Sequence, residues 1–155
     1  MIKLLYEMMT NSKRSDREIA KIIGVSQPTI TRMRQRLERK GFIRDYTVLP
    51  NLEKLGYEIA AFTLITLSSS NMNSQKMNKW IESKQEIVFS ASGQGVNGNN
   101  SIMVSIHKDF TGYSKFMSEL RSELSEDIRN IDGFLVPLKG EIQKHFSFKY
   151  LRPML

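Results

Sequence analysis

Hydrophobic and polar positions follow a helical period over the first 40 residues of the chain. Apolar side chains in segment 2–10 recur at spacings of three and four, which predicts a short leading helix with a methionine-rich core side. Segment 15–23 repeats the pattern, and segment 27–40 shows it a third time before Gly41. The pattern therefore predicts three helices in quick succession.

Short capping signals separate the second and third of these helices. Ser15 and Glu18 stand in the capping-box relation, so a helix is expected to start near Ser15. Gly24 follows the last apolar pair, where a left-handed C-cap suits glycine. Val25 is expected to plug the angle between the helices, and Ser26 is expected to cap the next one. Two capped helices around a tight turn predict a helix-turn-helix reader of duplex DNA.

The third helix has one apolar and one polar side. Ile30, Met33 and Leu37 form a stripe that would pack against the preceding helix. At 100° per residue the opposite side carries polar residues and one proline, namely Pro28, Thr31, Arg32, Gln35 and Arg39, with Gln27 and Arg36 at the edges. This side is the one that a major groove would meet.

Arginine and glutamine suit the base edges that a major groove displays. Arginine can donate two hydrogen bonds to guanine, and glutamine can pair with adenine. Because the N-terminal residues of a recognition helix reach the bases, Gln27, Thr31 and Arg32 are predicted to read sequence. Arg36, Arg39 and Lys40 are predicted to bind phosphates. Ser26, Thr29 and Gln35 complete the predicted DNA-binding residues of this helix.

An arginine-rich helix can also be only a solvated surface, with Arg34 and Glu38 as an ordinary exposed pair. Charge distribution favours the DNA-binding interpretation. Residues 1–50 contain 11 Lys or Arg against 5 Asp or Glu, whereas residues 51–155 contain 12 against 11. Most of the net charge of +7 thus lies in the first third, as expected of a module that displaces counterions from phosphates.

The segment FIRDYTVLP, residues 42–50, alternates apolar and polar side chains and is rich in aromatic and β-branched residues. Such a segment predicts one or two short strands, which would form a small wing after the recognition helix. Arg44 would be the phosphate contact of the wing, or an exposed cation without a role; the sequence leaves both open.

Beyond residue 50 the pattern changes to an alternation of strands and helices. We predict a DNA-binding domain over 1–50, a linker over 51–56 and a second domain over 57–155. In the second domain the predicted strands are Ile59–Leu67, Ile87–Ala91, Ile102–Ile106 and one beginning at Phe134–Leu138, and the predicted helices are Met72–Lys84 and Phe110–Ile128. The order βαββαβ predicts an α+β, ferredoxin-like domain with one sheet face covered by helices and one free.

A free apolar sheet face must be covered, and a second copy of the chain is the simplest cover. We therefore expect a homodimer formed through residues 57–150. Two recognition helices related by a two-fold axis would call for an inverted-repeat DNA site. The tail LKGEIQKHFSFKYL, residues 138–151, is expected to extend the last strand or to pack on the dimer partner.

Three runs of this sequence, REIAKIIGVS, RQRLERKGFI and DYTVLPNLEKLGY, resemble the Lrp/AsnC (leucine-responsive and asparagine-synthesis regulator) family of bacterial and archaeal transcription factors. The resemblance implies a winged helix-turn-helix followed by a domain that dimerises, assembles further, and binds small molecules, commonly amino acids, between subunits. The family usually has an arginine followed by an apolar residue in the recognition helix. This chain has Met33 followed by Arg34, which predicts a small rotation of the helix in its seat.

The resemblance also points to the loop before the third strand as an effector site. Family members that sense amino acids tend to carry G-x-x-D there, and Gly98 and Ser101 occupy the glycine and acid positions. A serine cannot match the charged hydrogen bonds of a carboxylate. Either other groups hold an amino-acid-like effector, or the loop is a hairpin without a ligand. The candidate effector residues are Gly95, Gly98, Asn99, Asn100 and Ser101.

Composition excludes several other classes. The chain has no cysteine, and His107 and His145 lie far apart, so no metal site, catalytic triad or cofactor is expected and an enzyme is disfavoured. No apolar run approaches the roughly 18–20 residues that cross a membrane, and Glu7 interrupts any signal-peptide core. A cytoplasmic, sequence-specific regulator is the favoured interpretation. The alternative is an architectural protein that coats DNA with little sequence preference.

Overall fold

A computed structural model describes residues 1–68 and 75–151 of the chain. The chain divides into two compact units. The first contains residues 1–49 together with the tail from Lys144, and the second contains residues 50–143.

Three helices build the first unit, as predicted. They are α1 (Ile2–Thr10), α2 (Asp16–Ile23) and α3 (Gln27–Arg39). One contiguous core joins them, and its buried members, all apolar, are Leu4, Met8, Ile19, Ala20, Ile30 and Leu37. Met33 is half-buried against this core, so the apolar stripe of the third helix holds α3 in place.

The caps of the first unit follow the sequence signals in part. Ser15 and Glu18 form a complete capping box, and Gly24 adopts the left-handed conformation at φ 81°. Ser26 occupies the N-cap of α3 but makes no side-chain bond to the helix backbone, unlike the prediction. Val25 does not plug the interhelical angle, because its side chain is exposed.

The predicted wing strands are absent from the described structure: residues 42–50 contain no strand. The phenol of Tyr46 instead donates to Glu38 Oε1 at 2.6 Å, which ties this segment back to α3. An alternating pattern makes a strand only when another strand pairs with it, and none does so here.

The tail also differs from its prediction. The last strand ends at Pro137, and residues 138–143 stay with the second unit. The tail from Lys144 belongs to the first unit, where the 3₁₀ turn Phe148–Tyr150 lies against α1. The assignment of 57–155 to one domain is therefore corrected for residues 144–151. An alternation of aromatic and charged residues does not by itself specify the surface against which the segment packs.

The second unit has the predicted βαββαβ order. Its elements are β1 (Ile59–Leu67), α4 (Gln75–Ser83), β2 (Ile87–Ser92), β3 (Ser101–His107), α5 (Phe110–Glu123) and β4 (Ile128–Pro137). Before β1, residues 52–56 form a hydrogen-bonded turn in which Asn51 Oδ1 accepts from the backbone N–H of Lys54 at 3.0 Å. The linker is thus an ordered turn at the start of the second unit.

The four strands form one antiparallel sheet in the order β2-β3-β1-β4. Alternate residues of β1, from Ala61 to Leu67, are buried. They meet the helices in a core that contains Ile65, Leu67, Met77, Trp80, Met103, Phe116, Met117, Leu120 and Leu124. The order and the one-sided cover are those of the ferredoxin-like arrangement.

Two predicted boundaries move. Helix α5 stops at Glu123 rather than Ile128, and β4 starts at Ile128, six residues before the predicted Phe134. Asn130, Asp132 and Gly133 are poor strand formers, but pairing with β1 over its whole length overrides that preference. Of the predicted helix Met72–Lys84, residues 72–74 lie outside the described residues.

The second face of the sheet is apolar and open. One row of partners crosses all four strands: Phe89 of β2, Val104 of β3, Phe62 of β1 and Phe134 of β4. The three phenylalanines, in chain order Phe62, Phe89 and Phe134, are 39%, 52% and 70% exposed. We call this row, with Leu64 beside it, the open face. Phenylalanines left in water across a whole sheet are unusual in a monomer.

Candidate nucleic-acid interface

A run of exposed cationic and amide side chains follows α3 over its whole length. Its members, all predicted from the sequence, are Gln27, Arg32, Gln35, Arg36, Arg39 and Lys40. None of them has a side-chain hydrogen bond or ion pair within residues 1–68 and 75–151. At a rise of about 1.5 Å per residue, Arg32 and Arg39 lie about 10 Å apart along the axis, comparable with a major groove about 12 Å wide.

Thr31 does not belong to this surface, contrary to its predicted role in base readout. Its hydroxyl is half-buried and donates to Asp16 Oδ2 at 2.8 Å, with a second contact to the Gln27 carbonyl at 3.3 Å. Helical geometry placed Thr31 on the polar side of α3, but a carboxylate on α2 holds its hydroxyl against the protein. That partner lies 15 residues away and is invisible to a periodicity argument.

Arg34 is the residue that the sequence analysis missed. It does not pair with Glu38; its Nε donates to Asp16 Oδ1 at 3.0 Å and its Nη2 contacts the same oxygen. Burial alone would raise the pKa of Asp16, but the hydrogen bonds from Thr31 and Arg34 outweigh it and lower that pKa below its ordinary value. A charged residue at an otherwise apolar helix position was the available signal.

The N-terminal hydroxyls of α3 are paired with each other. Ser26 Oγ and Thr29 Oγ1 are 2.8 Å apart, with Ser26 exposed and Thr29 half-buried. Each hydroxyl keeps a further acceptor or donor position, so both are able to contact a phosphate. Arg44 is exposed beyond α3 without a side-chain bond in the described residues, which matches the predicted position but not the predicted strand.

The difference in net charge is larger between the two units than between residues 1–50 and residues 51–155. The first unit, tail included, carries 14 Lys or Arg against 5 Asp or Glu, a net of +9, whereas residues 50–143 carry 9 against 11, a net of −2. All five acids accept hydrogen bonds inside the unit: Glu7 from Arg14, Asp16 from Arg34, Glu18 in its capping box, Glu38 from the Tyr46 phenol and Asp45 from the Tyr46 N–H. Within the described residues no carboxylate pairs with the exposed arginines of α3.

The predicted effector loop is ordered by its own side chains. Asn99 is buried, accepts from Thr66 Oγ1 at 3.0 Å and donates to Asp132 Oδ2 at 3.0 Å. Asn100 binds both the N–H and the carbonyl of Leu67, at 2.8 and 3.0 Å, in the manner of a strand residue. These amides hold the loop on the sheet and are not free for a ligand.

The glycines of this loop shape its backbone. Gly98 has φ 76°, and a side chain at Gly95 would lie 3.3 Å from the carbonyl oxygen of Asn99. Neither contributes a side chain to a ligand. Ser101 is the one candidate effector residue that lines a cleft, where its hydroxyl makes only a long contact of 3.4 Å to the Ala91 carbonyl.

The cleft has a volume of about 270 Å³ and lies between α4 and the strands of the second unit. Its walls mix apolar and polar side chains: Leu67, Met77, Asn78, Ile81, Glu82, Ser90, Ala91, Ser92 and Ser101. Ser101 is the one lining residue that was predicted from the sequence. The lining residues, Ser101 included, come from β1, α4, β2 and β3, so no local pattern connects them.

The described residues contain no group of three or more metal-ligating side chains and no helix long and apolar enough to cross a membrane. His107 is buried beneath the sheet, where Nε2 lies 2.8 Å from Ser105 Oγ and the ring packs against Phe116 and Tyr113. It is a core residue of the second unit.

Comparison with known proteins agrees with this geometry. Residues 1–44 match a family model described as winged helix-turn-helix DNA-binding. The chain is 31% identical to the HTH-type transcriptional regulator PH0061 of Pyrococcus horikoshii, over 93% of this chain and 90% of that protein. It is 29% identical to the HTH-type transcriptional regulator LrpA of Pyrococcus abyssi, over 84% and 86% of the two chains.

Solved structures share the whole fold. The crystal structure of PH0061 superposes with a TM-score of 0.77 over 94% of this chain and 93% of that chain, at 24% identity. The regulator NMB0573 of Neisseria meningitidis, solved in complex with L-Met, superposes with a TM-score of 0.77 over 93% and 90%, at 18% identity. These relatives are transcription regulators and not enzymes, and the chain belongs to the Lrp/AsnC family of DNA-binding transcription regulators.

Proposed function

We propose that this regulator binds duplex DNA sequence-specifically, as a homodimer or higher oligomer on inverted-repeat sites, in the cytosol or nucleoid of its cell. The observation that supports this most is the unneutralised run of arginine and glutamine along α3, in a unit of net charge +9. Gln27 and Arg32 would read bases, and Arg36, Arg39 and Lys40 would bind phosphates.

The open face supports the dimer. Burying one phenylalanine is worth about 1.5–3 kcal/mol, and two copies would bury six across matching rows. A homodimer carries two copies of α3, and a two-fold axis would match them to an inverted repeat, whose half-sites lie about 34–36 Å apart, one turn of the duplex.

Sedimentation of a Phe134→Arg variant tests the dimer. Phe134 is 70% exposed, so its replacement should leave the fold intact and shift the protein to monomer at concentrations where the wild type is dimeric. Phe110→Arg is the matched control, since Phe110 is 62% exposed on α5, beneath the other face. A monomeric wild type, or a dimer indifferent to Phe134→Arg, would contradict the open face as the interface.

Selection of bound sites from random duplex DNA tests the specificity. We expect a palindromic consensus that is bound at least about 10³-fold more tightly than random duplex. A steep salt dependence without such a preference would instead establish the alternative, an architectural protein that coats DNA.

We further propose that the cleft between α4 and β2 binds an amino-acid-like effector. Its volume of about 270 Å³ suits a ligand smaller than drug-sized molecules, whose sites span about 300–1,000 Å³. Leu67, Met77 and Ile81 offer an apolar side, while Ser90, Ser92 and Ser101 offer hydroxyls. The structural neighbour solved with L-Met gives the chemical class to examine first.

Thermal denaturation with each of the 20 L-amino acids tests the effector. A ligand at 100 times its Kd should stabilise the protein by about 2.7 kcal/mol, and Ser90→Leu, which fills the cleft, should remove the effect. Ser118→Leu, an exposed serine of α5 away from the cleft, should not. No stabilisation by any amino acid would favour the loop as a hairpin without a ligand.

A further inference from the structure

The pairing of Arg34 with Asp16 separates this arginine from every other on α3. We propose that Arg34 is a positioning residue, which fixes the orientation of the recognition helix for base readout without touching DNA. This inference rests on the proposed sequence-specific binding and concerns how α3 is oriented toward the bases.

Asp16 lies at the first position of α2, and both of its carboxylate oxygens bind α3. Oδ1 accepts from the Arg34 guanidinium, with Nε at 3.0 Å, and Oδ2 accepts from the Thr31 hydroxyl at 2.8 Å. Thr31 and Arg34 are three residues apart, so their backbone positions are about 4.5 Å apart along the axis of α3. Bonds from two such positions to one carboxylate resist both rotation and sliding of α3 against α2.

The pair is shielded more than ordinary surface ion pairs. The side chains of Arg34 and Asp16 are 21% and 20% exposed. Fully exposed pairs contribute little, but a planar guanidinium held on a half-buried carboxylate is specific in direction. Arg32 and Arg36, two residues to either side, are exposed and unbonded within the described chain. Only Arg34 is directed toward the protein.

A third segment meets the same position. Tyr46, which follows α3, donates to Glu38 Oε1 at 2.6 Å, and the Arg34 guanidinium opposes the rise in the pKa of the same phenol that burial and Glu38 cause. Arg34 is therefore bonded to α2 and acts electrostatically on the segment that leaves α3. Base readout requires side chains within about 0.5 Å of their productive positions, whereas phosphate attraction tolerates larger shifts. Loss of the Arg34–Asp16 pair should therefore reduce specific DNA binding much more than non-specific DNA binding.

The test compares Arg34→Gln, Asp16→Asn and the double variant on the selected DNA site and on random duplex. Each single variant should weaken binding to the selected site about tenfold, as expected for one charged hydrogen-bonded pair, and leave random duplex within about twofold. The double variant should be no weaker than either single one, because all three lose the same interaction. Since the two substitutions change net charge in opposite directions, equal losses exclude a simple charge effect.

Arg36→Gln is the matched control. It should weaken both duplexes alike and reduce the slope of log K against log salt by about 0.9, whereas Arg34→Gln should leave that slope unchanged. A reduced slope for Arg34→Gln would show that Arg34 binds a phosphate directly. Additive losses in the double variant would show that Asp16 and Arg34 act separately. Either result overturns the proposal.

Far-UV circular dichroism checks that the variants keep their helices, and Arg34→Lys serves as a second variant if Arg34→Gln does not fold. Lysine keeps the positive charge but lacks the planar guanidinium, so Arg34→Lys should lose part of the preference for the selected site. A wild type without any sequence preference would overturn the proposed function together with this inference. A preference that survives in Asp16→Asn and Arg34→Lys would overturn this inference alone.

Discussion

The two units of the chain leave opposite kinds of side chain without a partner. In the first unit the acids are bonded internally, while Arg32, Arg36 and Arg39 of α3 are unpaired within the described residues. In the second unit the loop amides of Asn99 and Asn100 are fully used, and the phenylalanines of the open face remain exposed. The unpaired side chains of the first unit are ones that phosphates and base edges can bind. The exposed side chains of the second unit are ones that an apolar surface can cover.

This contrast shows that net charge alone is a poor guide to the whole chain. The value of +7 conceals a unit of +9 and a unit of −2. The strongest evidence for DNA binding is that, within the described residues, no carboxylate pairs with Arg32, Arg36 or Arg39.

Truncating a buried leucine in the core of either unit should produce the largest effect. Leu37→Ala and Leu120→Ala remove matched, fully buried leucines from the two units, at an expected cost of about 2–5 kcal/mol each. Trp80, the single tryptophan, lies in the second core, so its fluorescence during denaturation reports that unit. Leu120→Ala should lower its midpoint, and Leu37→Ala should instead abolish DNA binding. Equal midpoint shifts in both variants would mean that the units unfold together.

Charge removal should affect the first unit only. Replacing Arg36 and Arg39 with glutamine should reduce the salt slope of DNA binding by about 1.8, or 0.9 for each phosphate contact. Lys76 and Lys79, exposed on α4, provide the matched pair in the second unit, and their replacement should leave the slope unchanged. Fluorescence anisotropy over a salt series measures both. A comparable drop for the α4 pair would remove the distinction between the units.

The two serine N-caps of the first unit should differ in strength. Ser15→Ala should destabilise the unit by about 1 kcal/mol, because Ser15 Oγ accepts from the Glu18 backbone and Glu18 returns the bond. Ser26→Ala should cost less, since Ser26 bonds only to Thr29 and not to the backbone of α3. Thermal unfolding followed by circular dichroism measures the difference. Equal losses would show that the Ser26 hydroxyl caps the helix in solution.

The smallest effect concerns pH and the second unit alone. Burial lowers the pKa of His107 below its ordinary 6.5, with the charge of Glu86 opposing part of the shift. The folded state then binds fewer protons than the unfolded state just below pH 6.5, so stability is full above that pH and declines as pH falls. The Trp80 midpoint should decrease from pH 7 to 5.5. His107→Gln should flatten that slope, and the exposed His145→Gln should leave it unchanged.

Local signals in the sequence predicted most of the fold. The capping box at Ser15 and the left-handed Gly24 depend on residues within a few positions, and β1 was delimited correctly by its apolar run. Features that depend on distant partners were missed. The side chains of Thr31 and Arg34 are directed by Asp16, and the early start of β4 results from its pairing with β1.

The exposed side of α3 could be predicted because a helix has a fixed period, and six of its predicted polar residues are exposed as expected. The wing could not, because a strand requires a partner that an isolated pattern does not specify. The bonding of the loop amides could not be predicted for a related reason: Asn99 and Asn100 suit a ligand and a sheet equally well, and in the structure they bond to the sheet.

The folding of the tail into the first unit has a consequence for the order in which the protein is made. The first unit is discontinuous, with residues 1–49 at one end of the chain and the tail from Lys144 at the other. At about 5–20 residues per second, a ribosome takes roughly 5–20 s to synthesise the stretch between them. Strands β1 to β3 are synthesised during that interval, whereas β4, which ends at Pro137, comes shortly before the tail. The three helices of the first unit therefore wait for their tail until nearly the whole sheet has been made.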